Sequence, residues 1–160
     1  MKNSKSYTVD EALLLMERYC SYQDRCHSEV EQKLYEFGMF TDAQEKIILH
    51  LIANNYLNEE RFAKSFCSGK FSIKHWGRNK IKAGLYQRKI SEYNIKSGLK
   101  EINEDDYLKI LSKEIDKKST IIKEKDPWKL KKKVFDYLVQ KGYEYQLIEQ
   151  IWKEKLKGAE

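Results

Sequence analysis

Apolar residues recur along this chain every three or four positions, the spacing that gathers side chains on one face of an α-helix. Thr8 and Glu11 have the spacing of a capping box, and they open a run with Ala12 and Met16 on its inner face. Further helix starts are predicted at Ser28 and Thr41, again by capping-box spacing, and at Asn58, Gly77, Ser91, Asn103 or Asp105, Asp126 and Tyr145. One proline and seven glycines leave little room for long loops or sheets. The pattern predicts an all-α protein.

The helix pattern itself occurs three times, at intervals of about fifty residues. A displacement of 104 residues places Leu34 on Leu138 and Gly38 on Gly142. The middle copy carries Leu85, so we expect the three leucines at equivalent buried sites on the second helix of each unit. Any all-helical chain matches itself at some offset, but here the helix caps recur together with the apolar positions, which favours a true repeat.

Three tandem three-helix repeats are therefore predicted, over residues 8–56, 57–103 and 104–157. Repeat units of this size stack on their neighbours, because a single unit buries too little apolar surface to be stable alone. We expect an elongated, curved molecule that presents a long surface and encloses no catalytic pocket.

Charge is distributed unevenly along the chain. The 31 Lys and Arg residues exceed the 25 Asp and Glu residues by six, yet residues 1–66 carry a net charge of −3 and the remainder +9. Residues 70–100 hold nine cationic side chains against the single acid Glu92. Such polarity indicates that the later part of the chain binds polyanions or an acidic partner.

Residue patterns typical of catalysis or metal binding are weak. The three histidines are scattered, the three cysteines form no Cys-x-x-Cys pair, and the glycines are too far apart to cradle a phosphate. We predict no enzyme activity, no metal and no cofactor. An odd number of cysteines, no apparent export signal and no run of about twenty apolar residues predict a cytoplasmic protein with reduced thiols and no membrane partner.

The basic segment offers a candidate binding ridge. Lys74, Arg78 and Lys82 share one face at helical spacing, with Trp76 at the adjacent turn. Such a row can neutralise successive phosphates without reading sequence. The same residues could form a merely solvated face above a buried Trp76, but the near absence of acids favours binding. The full candidate set is Lys74, Trp76, Arg78, Lys80, Lys82, Arg88, Lys89, Lys129, Lys131, Lys132 and Lys133.

Several short motifs resemble those of the RecX family, bacterial regulators of the RecA recombinase. Residues 56–63, YLNEERFA, are similar to the family's "[IL]-[DN]-[DE]-x-R-[FY]-A" signature. Residues 77–85, GRNKIKAGL, resemble its glycine-led second helix, and residues 28–34, SEVEQKL, its "S-x-x-E-[LV]-x-x-K-L" start. The resemblance covers the whole chain and is strongest from about 26 to 90. Lys89 departs from it, since the family usually has glycine there.

The resemblance implies tandem three-helix repeats without catalytic activity that bind along the groove of the RecA nucleoprotein filament. Such binding inhibits strand exchange and ATP hydrolysis by RecA. We also expect a monomer, and structural roles in the signature, with Phe62 buried between repeats one and two and Arg61 near Glu59 or a helix end. The alternative is a stand-alone helical DNA-binding protein of helix-turn-helix type, which binds single- or double-stranded DNA directly. A dimerisation helix and a distinct recognition helix would favour it, and neither is clear in the sequence.

Overall fold

The computed structural model describes residues 5–159, which form nine α-helices and no β-strand. The chain exposes 11,023 Å² of accessible surface, against about 8,400 Å² for a compact protein of this mass. The excess confirms an elongated, all-α molecule. The helices are α1 (Val9–Tyr22), α2 (His27–Glu36), α3 (Thr41–Ala53), α4 (Glu59–Ser72), α5 (Arg78–Gln87), α6 (Glu92–Leu99), α7 (Glu104–Ile121), α8 (Pro127–Gln140) and α9 (Tyr145–Gly158).

Successive groups of three helices form the repeating units. Extensive helix–helix packing joins α1 and α2 to α3, α4 and α6 to each other and to α5, and α7, α8 and α9 among themselves. Leu34, Leu85 and Leu138 are fully buried on the second helix of their units, as the sequence predicts. Their carbonyls each accept a hydrogen bond from the amide five residues later, at 3.0–3.1 Å. The second helix therefore ends in the same way three times.

Most predicted helix starts are confirmed, and two N-caps differ. Thr8 and Glu11 form the predicted capping box. Helix α2 begins one residue before Ser28, with Cys26 at its N-cap and Glu29 returning to the Cys26 amide. Thr41 is already the first residue of α3, whose N-cap is Phe40. The predicted N-cap was wrong by two residues at Ser28 and by one at Thr41. The spacing of a capping box does not by itself determine which residue is the N-cap when several polar residues are adjacent.

Two separate apolar cores run through the array. The first unit has its own core, formed by Ala12, Met16, Cys20, Val30, Leu34, Ile47, Leu51 and Leu57. The second and third units share one continuous core, which extends from Cys26 and Phe62 through Leu85 and Tyr107 to Ile151. The junction between units two and three therefore contains a shared apolar core, whereas the junction between units one and two depends largely on polar contacts.

The first junction is an ion pair surrounded by hydrogen bonds. Arg61 Nε donates to Asp24 Oδ1 at 2.7 Å, and the Ser65 hydroxyl donates to the other oxygen of the same carboxylate at 2.7 Å. Arg61 also donates to the carbonyls of two residues that follow α3. Phe62 is buried beside this contact and Arg61 lies in the first turn of α4, near a helix end, as predicted. The acidic partner of Arg61 is Asp24. The signature arginine thus ties α4 to the first unit.

The second junction is a direct backbone contact. The Gly77 amide donates to the Lys141 carbonyl at 3.0 Å, and the Asn79 amide donates to the Gly142 carbonyl at 2.9 Å. A Cβ atom at Gly77 would lie 2.2 Å from the backbone of Gly142. The turn before α5 can therefore reach the turn after α8 only because residue 77 has no side chain.

Candidate functional site

The predicted ridge of Lys74, Arg78 and Lys82 does not exist as one helical face. Helix α4 ends at Ser72 and α5 begins at Arg78, so Lys74 lies in the turn between them. Helical spacing therefore does not continue from Lys74 to Arg78, because the helix breaks before Gly77. Lys74 and Lys82 are exposed, but they belong to different structural elements.

Arg78 is a structural residue of the second junction. Its guanidinium contacts Glu104 Oε2 and Glu144 Oε2, each at 2.8 Å, and lies 4.0 Å from the centre of the Tyr107 ring. The Tyr107 hydroxyl in turn donates to Glu144 at 2.6 Å. Burial alone would lower the pKa of Arg78, but the hydrogen bonds to both carboxylates outweigh it and raise that pKa. Two carboxylates within the protein compensate the positive charge of Arg78, which leaves its guanidinium little capacity to bind an external phosphate.

Arg88 and Lys89, at the end of α5, also have local roles. Arg88 donates to the Gly84 carbonyl at 2.9 Å and lies 3.8 Å from Glu29. Its guanidinium covers the Phe66 ring, 4.9 Å from the ring centre. Lys89 has φ +58°, the left-handed conformation that ends the helix, with its side chain exposed.

Lysines and aromatic rings alternate on the face of the second unit next to Arg88. Lys70 Nζ lies 5.5 Å from the centre of the Phe66 ring and 4.8 Å from that of Trp76. Lys80 Nζ lies 4.4 Å from the Trp76 ring centre on the same side of the molecule. Trp76 is half-buried and packs edge-on against Phe66. Trp76 therefore acts as a platform that holds two ammonium groups together.

The same alternation continues across the junction into the third unit. A cleft between the two units is lined by Trp76, Lys80, Tyr137, Gln140 and Lys141. The ring of Tyr137 has Lys118 Nζ at 3.9 Å and Lys141 Nζ at 5.6 Å from its centre. We refer to this set as the cation–aromatic surface: Phe66, Lys70, Trp76, Lys80, Arg88, Lys118, Tyr137 and Lys141.

Three lysines of this surface have charges that the protein leaves uncompensated. Lys70, Lys80 and Lys118 have no carboxylate within 4.0 Å among residues 5–159. Lys141 differs, because its Nζ contacts Glu114 at 2.8 Å. Uncompensated ammonium groups held on aromatic rings attract anions, and aromatic platforms interleaved with cations are typical of nucleic-acid-binding surfaces.

Glu114 anchors the base of the cleft. Its side chain is buried and accepts hydrogen bonds from Lys141 Nζ at 2.8 Å and from His75 Nδ1 at 3.1 Å. Burial alone would raise the pKa of Glu114, but the bonds to Lys141 and His75 outweigh it and lower that pKa. The carboxylate therefore stays ionised and fixes the position of Lys141 at the cleft.

The second predicted basic cluster is largely engaged with its own helix. Lys132 pairs with Asp136 at 3.1 Å, and Lys133 pairs with Glu124 at 2.8 Å. Lys131 lies over a ring of α8, 5.3 Å from the centre of Phe135, and Lys129 is exposed. These residues do not form part of the cation–aromatic surface.

Sequence reasoning missed Phe66, Lys70, Lys118, Tyr137 and Lys141 as site residues. A partial signal was present, because an aromatic residue precedes a lysine by four positions at Phe66–Lys70, Trp76–Lys80 and Tyr137–Lys141, although the same spacing also occurs outside this surface, at Trp128–Lys132. Of the three pairs in the surface, only Phe66 and Lys70 lie within one helix, where side chains four apart are neighbours. The contribution of Lys118 had no such signal, since it reaches Tyr137 from another helix.

Other kinds of site find little support in the part of the chain that the structure describes. Residues 5–159 contain no group of three His, Cys, Asp or Glu side chains that could hold a metal ion. Burial raises the pKa of Cys20 to about 11 and that of Cys67 to about 12, so both thiols are protonated at neutral pH. None of the helices in this range combines the length and apolar character needed to cross a membrane.

Comparisons with known proteins identify the family. A model described as "RecX, second three-helix domain" matches residues 58–99, and one described as "RecX, third three-helix domain" matches residues 104–152. Regulatory protein RecX of Clostridium perfringens is 33% identical over 76% of this chain and 57% of its own length. That of Finegoldia magna is 30% identical over 88% of this chain and 70% of its own length. The chain spans little more than half the length of the Clostridium relatives it matches.

Solved structures agree with this assignment at the level of the fold. The crystal structure of RecX from Lactobacillus salivarius superposes with a TM-score of 0.81 at 23% identity, covering 91% of this chain and 95% of that one. A second RecX crystal structure gives a TM-score of 0.83 at 23% identity, covering 91% of this chain and 73% of that one. The tandem three-helix units, the two family models and the relatives together show that this chain belongs to the RecX family.

Proposed function

We propose that this chain is a non-enzymatic regulator of the RecA recombinase in the cytoplasm, which binds the RecA–DNA filament and inhibits its ATP hydrolysis and strand exchange. The names of its relatives support a regulatory role, and family resemblance supports RecA as the target. Binding uses the cation–aromatic surface, with the lysines directed at DNA phosphates or at acidic patches of RecA.

The observation that carries this proposal is the set of uncompensated lysines on the aromatic rings. Lys70, Lys80 and Lys118 come from three different helices of two units: the first two contact the Trp76 ring and the third contacts the Tyr137 ring, and both rings line the same cleft. An elongated array with one basic face suits a long polyanionic partner better than a small ligand. A row of phosphate contacts of this kind provides affinity and orientation without sequence readout.

A triple variant tests the proposal. Replacing Lys70, Lys80 and Lys118 by glutamine removes three uncompensated charges and leaves unchanged the ion pairs of Arg78 and Glu114 at the junction. We expect weaker co-sedimentation with RecA filaments on single-stranded DNA, and weaker inhibition of ATP hydrolysis in parallel. The slope of log affinity against log salt should fall by about one unit for each phosphate that the variant no longer neutralises. The glutamine side chains preserve most of the packing, so the melting temperature should change little.

A matched control removes the same charge elsewhere. Lys46, Lys109 and Lys153 are exposed on α3, α7 and α9, outside the cation–aromatic surface. Their triple glutamine variant should bind filaments nearly as the wild type does. Equal binding by both variants at every salt concentration would refute the assigned surface and direct attention to Lys129, Lys131, Lys132 and Lys133. If the variant at Lys70, Lys80 and Lys118 loses binding to naked DNA but still binds RecA filaments normally, the result would favour the alternative, a helical DNA-binding protein of helix-turn-helix type.

A further inference from the structure

An open apolar groove lies at the far end of the third unit. It is formed where the start of α8 meets the end of α9, has a volume of about 230 Å³, and is lined by Pro127, Trp128, Lys131, Trp152 and Leu156. The Trp128 side chain is 81% exposed, although a tryptophan in such a position usually packs against other residues. We call this feature the Trp128 groove.

One lysine lines the Trp128 groove, and further exposed lysines lie on the two helices that form it. Lys131 lines the groove directly, and Lys129 and Lys157 are exposed on the same two helices. None of these three lysines has a carboxylate within 4.0 Å in the described part of the chain. The surface that fits this groove therefore combines apolar side chains with carboxylates.

The first unit, at the opposite end of the array, carries such a surface. Asp42, Glu45, Leu49 and Ile52 occur at intervals of three and four along α3 and so share one face of that helix. All four are exposed, with Leu49 at 66% of its full accessible surface. Neither carboxylate has a cationic partner within 4.0 Å among residues 5–159. We call this feature the α3 face.

We propose that the α3 face of one copy docks into the Trp128 groove of a second copy, so that chains associate head to tail. Leu49 and Ile52 would cover Trp128 and Leu156, while Asp42 and Glu45 would approach Lys131. The two surfaces are complementary in both polarity and charge, and they lie in the first and third units, so that each chain presents both. A contact between two different surfaces leaves one of each unpaired at the ends, so it can add further copies, and the rotation between neighbouring copies decides whether the array is open or closes into a ring.

We expect this contact to be weak because it buries little surface. Four apolar side chains and a few charges form an interface well below the roughly 1,200 Å² of stable complexes. The dilute chain should therefore be a monomer, as expected from the sequence. Copies bound side by side on one elongated partner would experience an effective concentration in the millimolar range, where a weak contact becomes occupied. The association itself requires no partner and stands independently of the proposed function.

Sedimentation velocity of the purified chain tests this inference directly. The wild type should sediment as a single chain of 19.2 kDa when dilute, and its average mass should rise as the concentration approaches about 1 mM. A groove variant, Trp128→Ser with Lys131→Glu, should remain monomeric throughout. An α3 variant, Glu45→Lys with Leu49→Ser, should behave in the same way, because it lacks the other half of the contact.

A mixture of the two variants provides the decisive measurement. Each variant keeps one intact surface, so an equimolar mixture should form dimers of twice the single-chain mass and nothing larger. The control Tyr93→Ser with Lys109→Glu changes one exposed aromatic residue and one exposed lysine elsewhere and should associate as the wild type does. A wild type that stays monomeric at about 1 mM, or a mixture no heavier than its parts, overturns the inference. Circular dichroism checks that each variant retains its helices.

Discussion

At the residue scale, the left-handed position after the second helix explains one departure from the family pattern. Gly38 has φ +74° after α2, Gly142 has φ +104° after α8, and Lys89 has φ +58° at the corresponding position after α5. The left-handed conformation brings the following amide to the carbonyl of the buried leucine in each unit. A lysine tolerates this conformation at a cost of roughly 1–2 kcal/mol relative to its preferred backbone.

Lys89→Gly should therefore stabilise the protein. Glycine removes the strain of the left-handed conformation but adds freedom to the unfolded chain, and the balance is a gain of about 1 kcal/mol. Urea unfolding followed by circular dichroism measures the change. Because Lys89 lies outside the cation–aromatic surface, the same variant should bind RecA filaments almost normally. A stability no higher than that of the wild type would show that other contacts of the turn already compensate the strain.

Residue roles were predictable from sequence only where the partner lies nearby in the chain. The burial of Leu34, Leu85 and Leu138 followed from helical spacing alone, and the structure confirms it. Arg78 had the same spacing signal as its neighbours, yet its partners Glu104 and Glu144 lie 26 and 66 residues further along. No local pattern identifies so distant a partner. Helical spacing therefore predicts that Arg78 belongs to a binding ridge, whereas its charge is compensated within the fold.

At the element scale, helix starts and turns were predicted well because capping is local chemistry. Asn58, Ser91 and Asn103 each accept a hydrogen bond from the amide three residues later. The turn at Gly77 was also predicted, but its function was not, because the sequence does not show what approaches it. The structure shows that the turn after α8 packs directly on it.

Gly77→Ala should separate the second and third units at that turn. The added Cβ would lie 2.2–2.4 Å from three backbone atoms of the turn after α8, and backbone cannot move aside as a side chain can. We expect a loss of about 3 kcal/mol or more in the free energy of unfolding, at the upper end of overpacking effects. Gly69→Ala is the matched control, since a Cβ there meets nothing within 4 Å inside α4. That variant should gain about 0.5–1 kcal/mol from helix propensity, and equal effects of the two changes would contradict the direct packing of the turns.

At the scale of the whole molecule, the two junctions of the array differ in kind. The second and third units share one apolar core and a direct backbone contact, whereas the first unit has its own core and is joined by the Arg61–Asp24 pair. The sequence predicted three similar units but not this difference, because the apolar spacing within units carries no information on how their ends meet. The cation–aromatic surface spans the second junction, where the shared core and the backbone contact join the two units that carry its lysines.

The buried carboxylate at that junction should make the molecule sensitive to acid. Glu114 joins His75 of the second unit to Lys141 of the third, and these bonds lower its pKa. A carboxyl group whose pKa is lower in the folded than in the unfolded state stabilises the protein above the unfolded value, about 4.3, and loses that effect as pH falls through the folded value. Glu114→Gln should therefore reduce the free energy of unfolding at pH 7 much more than at pH 3. Urea unfolding at a series of pH values measures this difference, with Glu31→Gln, an exposed acid without an ion-pair partner in the described residues, as the control. A constant difference between wild type and Glu114→Gln from pH 7 to pH 3 would mean that the carboxylate contributes packing alone, and that the charge of Lys141 is held at the cleft by other groups.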